Sequence, residues 1–295
     1  MKKTIFTGAG VALVTPMHAD GSVNFEKLDE LINWQIENGT DAIIACGTTG
    51  ESATLTHEEH VQVISRTVKT VAGRVPVIAG TGSNHTDYAI SLSKEAESAG
   101  VDALLVVTPY YNKTSQAGLI RHYTAIADSV SLPIILYNVP SRTGVNILPE
   151  TYAVLAEHEN IAAIKEANGN IAAAAKTLSL CGDKLDLYSG NDDQITPLMS
   201  LGAKGVISVL SNVAPRLAHD IAASYLEGDV KKSAELQIGN MDLIQNLFID
   251  VNPIPVKEAL NMMGMEVGEC RLPLCSLSEA HHEALKKSLQ QAGLL

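Results

Sequence analysis

Eight short apolar runs alternate with helical stretches, the alternation closes by about residue 227, and no glycine-rich nucleotide turn follows the first run. Together these predict an α/β chain folded as a (β/α)8 TIM barrel. The strand-like runs are 10–15, 42–46, 75–80, 103–108, 133–139, 161–167, 185–189 and 205–210. Each is too short for a helix and apolar on both faces, as a strand covered on both sides must be. An open doubly wound sheet is the structural alternative. It usually has fewer strands and a G-x-G-x-x-G turn after the first, whereas here that strand runs into Val14-Thr15-Pro16-Met17.

Helix ends are legible between the strands. Thr56 with Glu59 three residues on forms a capping box, opening a helix that runs to Val71. Thr86 is expected to cap the next helix and Gly100 to end it. Residues 115–130 follow the fourth strand and 214–226 the eighth. Beyond them, 230–246, 255–263 and 278–292 read as further helices, with no Pro/Gly/Ser-rich linker before them. The expected division is a catalytic barrel over 1–227 and a C-terminal helical region over 228–295.

Composition narrows the function. Hydrophobic residues make up 46% and charged residues 18% of the 295, the balance of a globular chain with a large core. A net charge of -12 without a basic block argues against nucleic acid, and the absence of an 18-residue apolar run argues against a membrane span. Cys46, Cys181, Cys270 and Cys275 form no C-x-x-C pair, which fits a reduced, cytoplasmic setting. Lys2 and Lys3 precede apolar residues as in a leader peptide, but Gly8, Gly10, Thr15 and Pro16 interrupt the run, so export is not expected.

In a barrel of this kind the site is built at the C-terminal ends of the strands. That rule selects Gly47-Thr48-Thr49-Gly50-Glu51, Thr108-Pro109-Tyr110-Tyr111-Asn112, Tyr137-Asn138-Val139-Pro140 with Ser141-Arg142-Thr143-Gly144, Lys165, and Ser189-Gly190-Asn191-Asp192. Lys165 stands out, since its run is otherwise apolar and most lysines are surface residues. To be half neutral at pH 7 it needs a pKa about 3.4 units below the usual 10.4, a shift that desolvation can supply. A neutral amine there is a nucleophile towards carbonyl carbon. Tyr111, Tyr137 and Thr48 offer hydroxyls for the protons that imine chemistry moves. Arg142 suits a substrate carboxylate, and the Gly47–Gly50 loop can present amides and hydroxyls to a second one. His57 and His60 lie three apart on one helix, but no third ligand and no H-E-x-x-H motif accompany them, so no metal is expected, and no cofactor either.

These motifs resemble the dihydrodipicolinate synthase family, within the N-acetylneuraminate lyase superfamily of pyruvate-dependent class I aldolases. The resemblance spans essentially the whole chain, from Gly8–Pro16 to Arg271-Leu272-Pro273. It rests on the combination of G-T-T-G-E at 47–51, Y-N-V-P-S-R-T-G at 137–144 and K-E-A at 165–167. It implies that Lys165 forms a Schiff base with pyruvate. Tyr137, Thr48 and Tyr111 would relay protons, Tyr111 from a neighbouring subunit. Thr48 and Thr49 would hold the pyruvate carboxylate, Arg142 would bind that of L-aspartate 4-semialdehyde, and Gly190 and Ile207 would line the site with backbone. The product would be 4-hydroxy-tetrahydrodipicolinate, on the diaminopimelate route to lysine, made by a homotetramer built as a dimer of dimers. The alternative within the superfamily is a sugar-acid lyase acting on N-acetylneuraminate or a 2-keto-3-deoxy acid; such relatives generally lack the arginine after strand five.

The resemblance also implies feedback inhibition by L-lysine. Lysine-sensitive members are similar to this chain at Ser52, Ala53, His57, His60, Asn84 and Tyr110, which would line a pocket at a subunit interface. The chain departs from them at Tyr88, where sensitive relatives often carry a glutamate, so weak to moderate inhibition is expected.

Overall fold

Eight parallel strands close on themselves in the computed structural model, which describes residues 2–295. β1 (Gly8–Ala12) leads to α1 (Phe25–Glu37), β2 (Ala42–Ala45) to α2 (His57–Val71), β3 (Val77–Gly80) to α3 (Thr86–Ala99), and β4 (Ala103–Val107) to α4 (Gln116–Ala127). β5 (Ile134–Asn138) is followed by the single turn α5 (Pro140–Thr143) and by α6 (Pro149–Leu155). Then come β6 (Ile161–Glu166), α7 (Ile171–Cys181), β7 (Asp186–Ser189), α8 (Ile195–Met199), β8 (Gly205–Ser208) and α9 (Pro215–Leu226). The chain ends in α10 (Val230–Gly239), α11 (Met241–Asn246), α12 (Ile254–Met262) and α13 (Glu279–Gln291). The predicted barrel is therefore present.

The closing seam between β1 and β8 pairs Gly8 with Gly205. A Cβ on Gly205 would lie 1.8 Å from the Gly8 carbonyl oxygen, so the strands meet this closely only because the side chain is missing. Three local expectations need correction. β1 covers Gly8–Ala12 rather than 10–15, because past Leu13 the backbone leaves the sheet for other partners: Val14 N donates to Asn212 Oδ1 at 3.1 Å, and Thr15 Oγ1 to the Gly50 carbonyl at 2.7 Å. Thr86 is not a cap; it is the first residue of α3, after His85, and its hydroxyl meets His122 Nδ1 at 2.9 Å. The stretch 230–246 is two helices, parted at Asn240, whose side-chain amide bonds back to the Leu236 carbonyl at 2.7 Å.

Other signals act as their chemistry predicts. Thr56 and Glu59 form the reciprocal capping box, at 3.2 and 2.9 Å, and Gly100 ends α3 in the left-handed region. The two-residue period of the strands sorts side chains into two sets. Ile44, Ile78, Leu105, Ile135, Tyr137, Ala163, Tyr188 and Ile207 fill the barrel interior. Ile43, Leu104, Leu136, Ile164, Leu187 and Val206 face the helices, in one apolar cluster that also takes in Leu243, Leu247, Val256, Leu260, Leu285 and Leu289 from the C-terminal helices. Among the described residues, no helix is long and apolar enough to cross a membrane.

Candidate active site

Lys165 falls on the inner set of β6 and pairs in register with Tyr137 on β5 and Tyr188 on β7. It is 6% exposed, and its Nζ sits 4.3 Å from the centroid of the Tyr137 ring. Burial pulls its pKa down to about 8; the Asp192 carboxylate opposes that shift and the Arg142 guanidinium adds to it. This falls short of half-neutrality at pH 7, leaving roughly a tenth of the amine neutral there and half at pH 8. The Tyr137 phenol is raised by its own burial, with Arg142 and then the Thr48 side chain opposing. Lys165, Tyr137, Thr48 and Arg142 are thus brought together at the carboxyl ends of β2, β5 and β6.

Arg142 does not stand in an open loop. It lies in α5, started by Pro140 and ended by Gly144 at φ 71°, and its side chain is exposed at the barrel mouth. Its Nη2 donates to the Asn252 carbonyl at 3.4 Å, while Asn252 Nδ2 donates to the buried Thr49 Oγ1 at 3.0 Å. Gly190 packs its backbone against β6, donating to the Glu166 carbonyl at 2.8 Å; a Cβ there would lie 2.8 Å from that of Ala167. Ile207 is buried in the interior set.

Three carboxylates beyond the residues expected to act on substrate support the site. Asp192 is 2% exposed; its Oδ2 accepts from the Val209 and Leu210 amides at 3.0 and 2.9 Å, tying the end of β7 to β8. Burial raises its pKa. Glu166, on the outer face behind Lys165, accepts from Asn138 Nδ2 at 3.0 Å and from Asn168 N at 2.9 Å, and burial pushes it up to about 7. Glu51 pairs with Lys257 Nζ at 2.9 Å and accepts from Arg271 N at 2.9 Å, which pins the end of the Gly47–Glu51 loop. Asp192 lies three residues past the seventh strand, a visible signal. Asn252 and Lys257 carried none, because nothing local marks a residue that reaches across two hundred positions.

The remaining candidates divide. Tyr111 is 91% exposed, at φ 68°. Ser52, Ala53, His60, Tyr88 and Tyr110 line a cavity of about 290 Å³ together with Thr48 and Arg142. His60 is buried, with Nε2 2.8 Å from the Gly80 carbonyl, and burial lowers its pKa. His57 turns instead to the Tyr88 hydroxyl at 3.3 Å and to Glu95 at 3.2 Å, so the two imidazoles do not converge. Asn84 donates to the Tyr110 carbonyl at 3.1 Å.

Comparison with known proteins agrees with this geometry. Residues 5–292 match the model of the Dihydrodipicolinate synthetase family. The 4-hydroxy-tetrahydrodipicolinate synthase of Lachnoclostridium phytofermentans is 60% identical over 292 residues, 99% of each chain. The chloride-inhibited dihydrodipicolinate synthase of Acinetobacter baumannii, solved in complex with pyruvate, superposes with a TM-score of 0.97 at 46% identity, covering 99% of this chain and 100% of that one. The enzyme of Cyanidioschyzon merolae, solved with lysine bound, gives 0.96 at 41% identity, again over 99% and 100%. With a barrel, a buried lysine and a full-length match all in agreement, the chain belongs to the dihydrodipicolinate synthetase family.

Proposed function

We propose that Lys165 is the nucleophile of a lyase-class condensation joining pyruvate to L-aspartate 4-semialdehyde, giving 4-hydroxy-tetrahydrodipicolinate for lysine biosynthesis. The observation that carries this reading is a buried amine beneath a tyrosine ring, its pKa lowered to about 8. The neutral amine adds to C2 of pyruvate, and loss of water leaves an iminium. The iminium acidifies C3, whose proton passes to the neighbouring hydroxyl relay to leave an enamine, so the imine serves as the electron sink. The enamine carbon forms a bond to the aldehyde carbon, whose oxygen takes a proton. The amino group of the second substrate then attacks the iminium carbon, closes the ring and releases the Lys165 amine.

Each step needs a proton moved. Tyr137 beside Lys165, with the Thr48 side chain as its hydrogen-bond partner, supports a relay there. Thr49 and Thr48 are assigned to the pyruvate carboxylate, Arg142 to that of the aldehyde substrate, and Gly190 and Ile207 to the backbone lining. The exposure of Tyr111 supports its service in a neighbouring subunit's site, within a homotetramer. Four free thiols accord with work in the cytoplasm. Incubating the protein with both substrates should give the condensation product by mass spectrometry, with no cleavage of N-acetylneuraminate. Cleavage of the sugar acid without condensation would overturn the assignment.

L-Lysine is the proposed effector. The reading is supported by the lysine-bound relative and by the cavity that Ser52, Ala53, His60, Tyr88 and Tyr110 share with Thr48. His57 bonds the lining Tyr88 and Asn84 the lining Tyr110, so hydroxyl, imidazole and amide groups gather there, but with a phenol at Tyr88. Calorimetry should find weak binding that Tyr88→Glu strengthens, by roughly 10-fold or more for a charged hydrogen bond. Absence of heat at millimolar lysine would remove the effector and leave catalysis untouched.

A further inference from the structure

Asn252 belongs to the C-terminal region, just before α12, yet it touches both groups assigned to the substrates' carboxylates. Its Nδ2 donates to Thr49 Oγ1 at 3.0 Å, and its carbonyl accepts from Arg142 Nη2 at 3.4 Å. Asn252 is 5% exposed, and among the described residues its Oδ1 has no hydrogen-bond partner. An unpartnered buried amide oxygen is unfavourable.

The direction of the bond to Thr49 matters. A threonine hydroxyl has one hydrogen and two lone pairs. Once a lone pair is filled by the Asn252 amide, the Thr49 hydrogen is left to point elsewhere, and the hydroxyl meets an incoming anion as a donor. With the amide reversed, Thr49 would spend its hydrogen on Asn252 and offer the carboxylate only lone pairs. We propose that Asn252 is a positioning residue for pyruvate, setting the Thr49 hydroxyl as a carboxylate donor while its main chain anchors Arg142 for the second substrate. One residue of the C-terminal region thereby couples the two substrate subsites. The inference rests on the Schiff-base reading above and deepens it.

The test is borohydride trapping of Lys165 with pyruvate alone, which needs neither the second substrate nor turnover. Half-saturating pyruvate is measured for the wild type, Asn252→Ala, Asn252→Asp, Thr49→Val and the Thr49→Val/Asn252→Ala double variant, each shown to be folded by near-ultraviolet circular dichroism. Asn252→Ala should raise half-saturation about 3- to 10-fold, the loss of one neutral hydrogen bond. Asn252→Asp can only accept, so it draws the Thr49 hydrogen inward and should raise it further; it also carries the comparison if the alanine variant does not fold. In the Thr49→Val background the alanine change should add less than about twofold, because the hydroxyl it orients is gone. Unchanged half-saturation in the Asn252 variants, or a full loss repeated in the Thr49→Val background, overturns the inference. A wild-type protein whose Lys165 takes no pyruvate overturns the Schiff-base reading and this inference with it; trapping indifferent to Asn252 overturns this inference alone.

Discussion

Two lysines lie in the interior, Lys165 at the inner end of β6 and Lys257 in α12 at the seam between barrel and C-terminal helices, 6% and 1% exposed. Lys257 meets the Glu51 carboxylate at 2.9 Å and the Glu269 carbonyl at 2.7 Å, so its charge is paired and its protons are used. Lys165 has no carboxylate within ion-pairing distance among the described residues; its neighbours are an aromatic ring and, further off, the charges of Asp192 and Arg142. Both amines are buried, but only Lys257 is given a carboxylate partner. A paired buried lysine is a strut, whereas an unpaired one is a base waiting to lose its proton.

If that contrast is right, the largest effect belongs to Lys165. Lys165→Met should cut kcat by at least ~10³-fold, since the covalent step has no substitute. The melting temperature should hold or rise, because an apolar chain of similar length suits the interior. Retained turnover would erase the distinction between the two lysines.

The converse holds at the seam. Lys257→Met leaves Glu51 buried without its cation and should cost about 3–5 kcal/mol, read from the urea midpoint. Adding Glu51→Gln should recover part of the loss, because the uncompensated charge is then gone while Arg271 N keeps an acceptor. Arg142→Ala comes next, at about 1.5–3 kcal/mol in kcat/KM for the aldehyde substrate, with pyruvate trapping intact. An unchanged kcat/KM would detach Arg142 from that carboxylate.

The smallest effect sharpens the electrostatics. The Asp192 carboxylate raises the Lys165 pKa, so Asp192→Asn should lower it, and the rise of trapping rate with pH should move to lower pH. An Asn oxygen still accepts from Val209 N and Leu210 N, which keeps the loop in place. A limb that stays put, or moves to higher pH, would show that Asp192 does not act on the amine.

The same contrast explains how far the sequence could be read. Lys165 announced itself because a charge inside an apolar run violates a local pattern, and local patterns also gave the eight strands and the Thr56 capping box. Thr86 misled because its hydroxyl had a tertiary competitor, His122, which no local rule weighs. Nothing within 255–263 marks Lys257, since its partner Glu51 is 206 positions away. Asn252 was silent for the same reason, being 203 positions from Thr49. Tyr111 is the opposite case: its place after strand four suggested the site, but its backbone at φ 68° turns it to the surface of this chain.

The claim that the unpaired lysine is the reactive one is tested most directly by borohydride trapping with pyruvate across pH, with every lysine peptide resolved by mass spectrometry. One pyruvate-derived adduct per chain is expected, on Lys165 and none on Lys257. Protonation blocks the nucleophile, so a lysine with its pKa lowered to about 8 should be trapped faster as pH rises through that value. Active protein with an unmodified Lys165 peptide, or an adduct that favours Lys257, would contradict it.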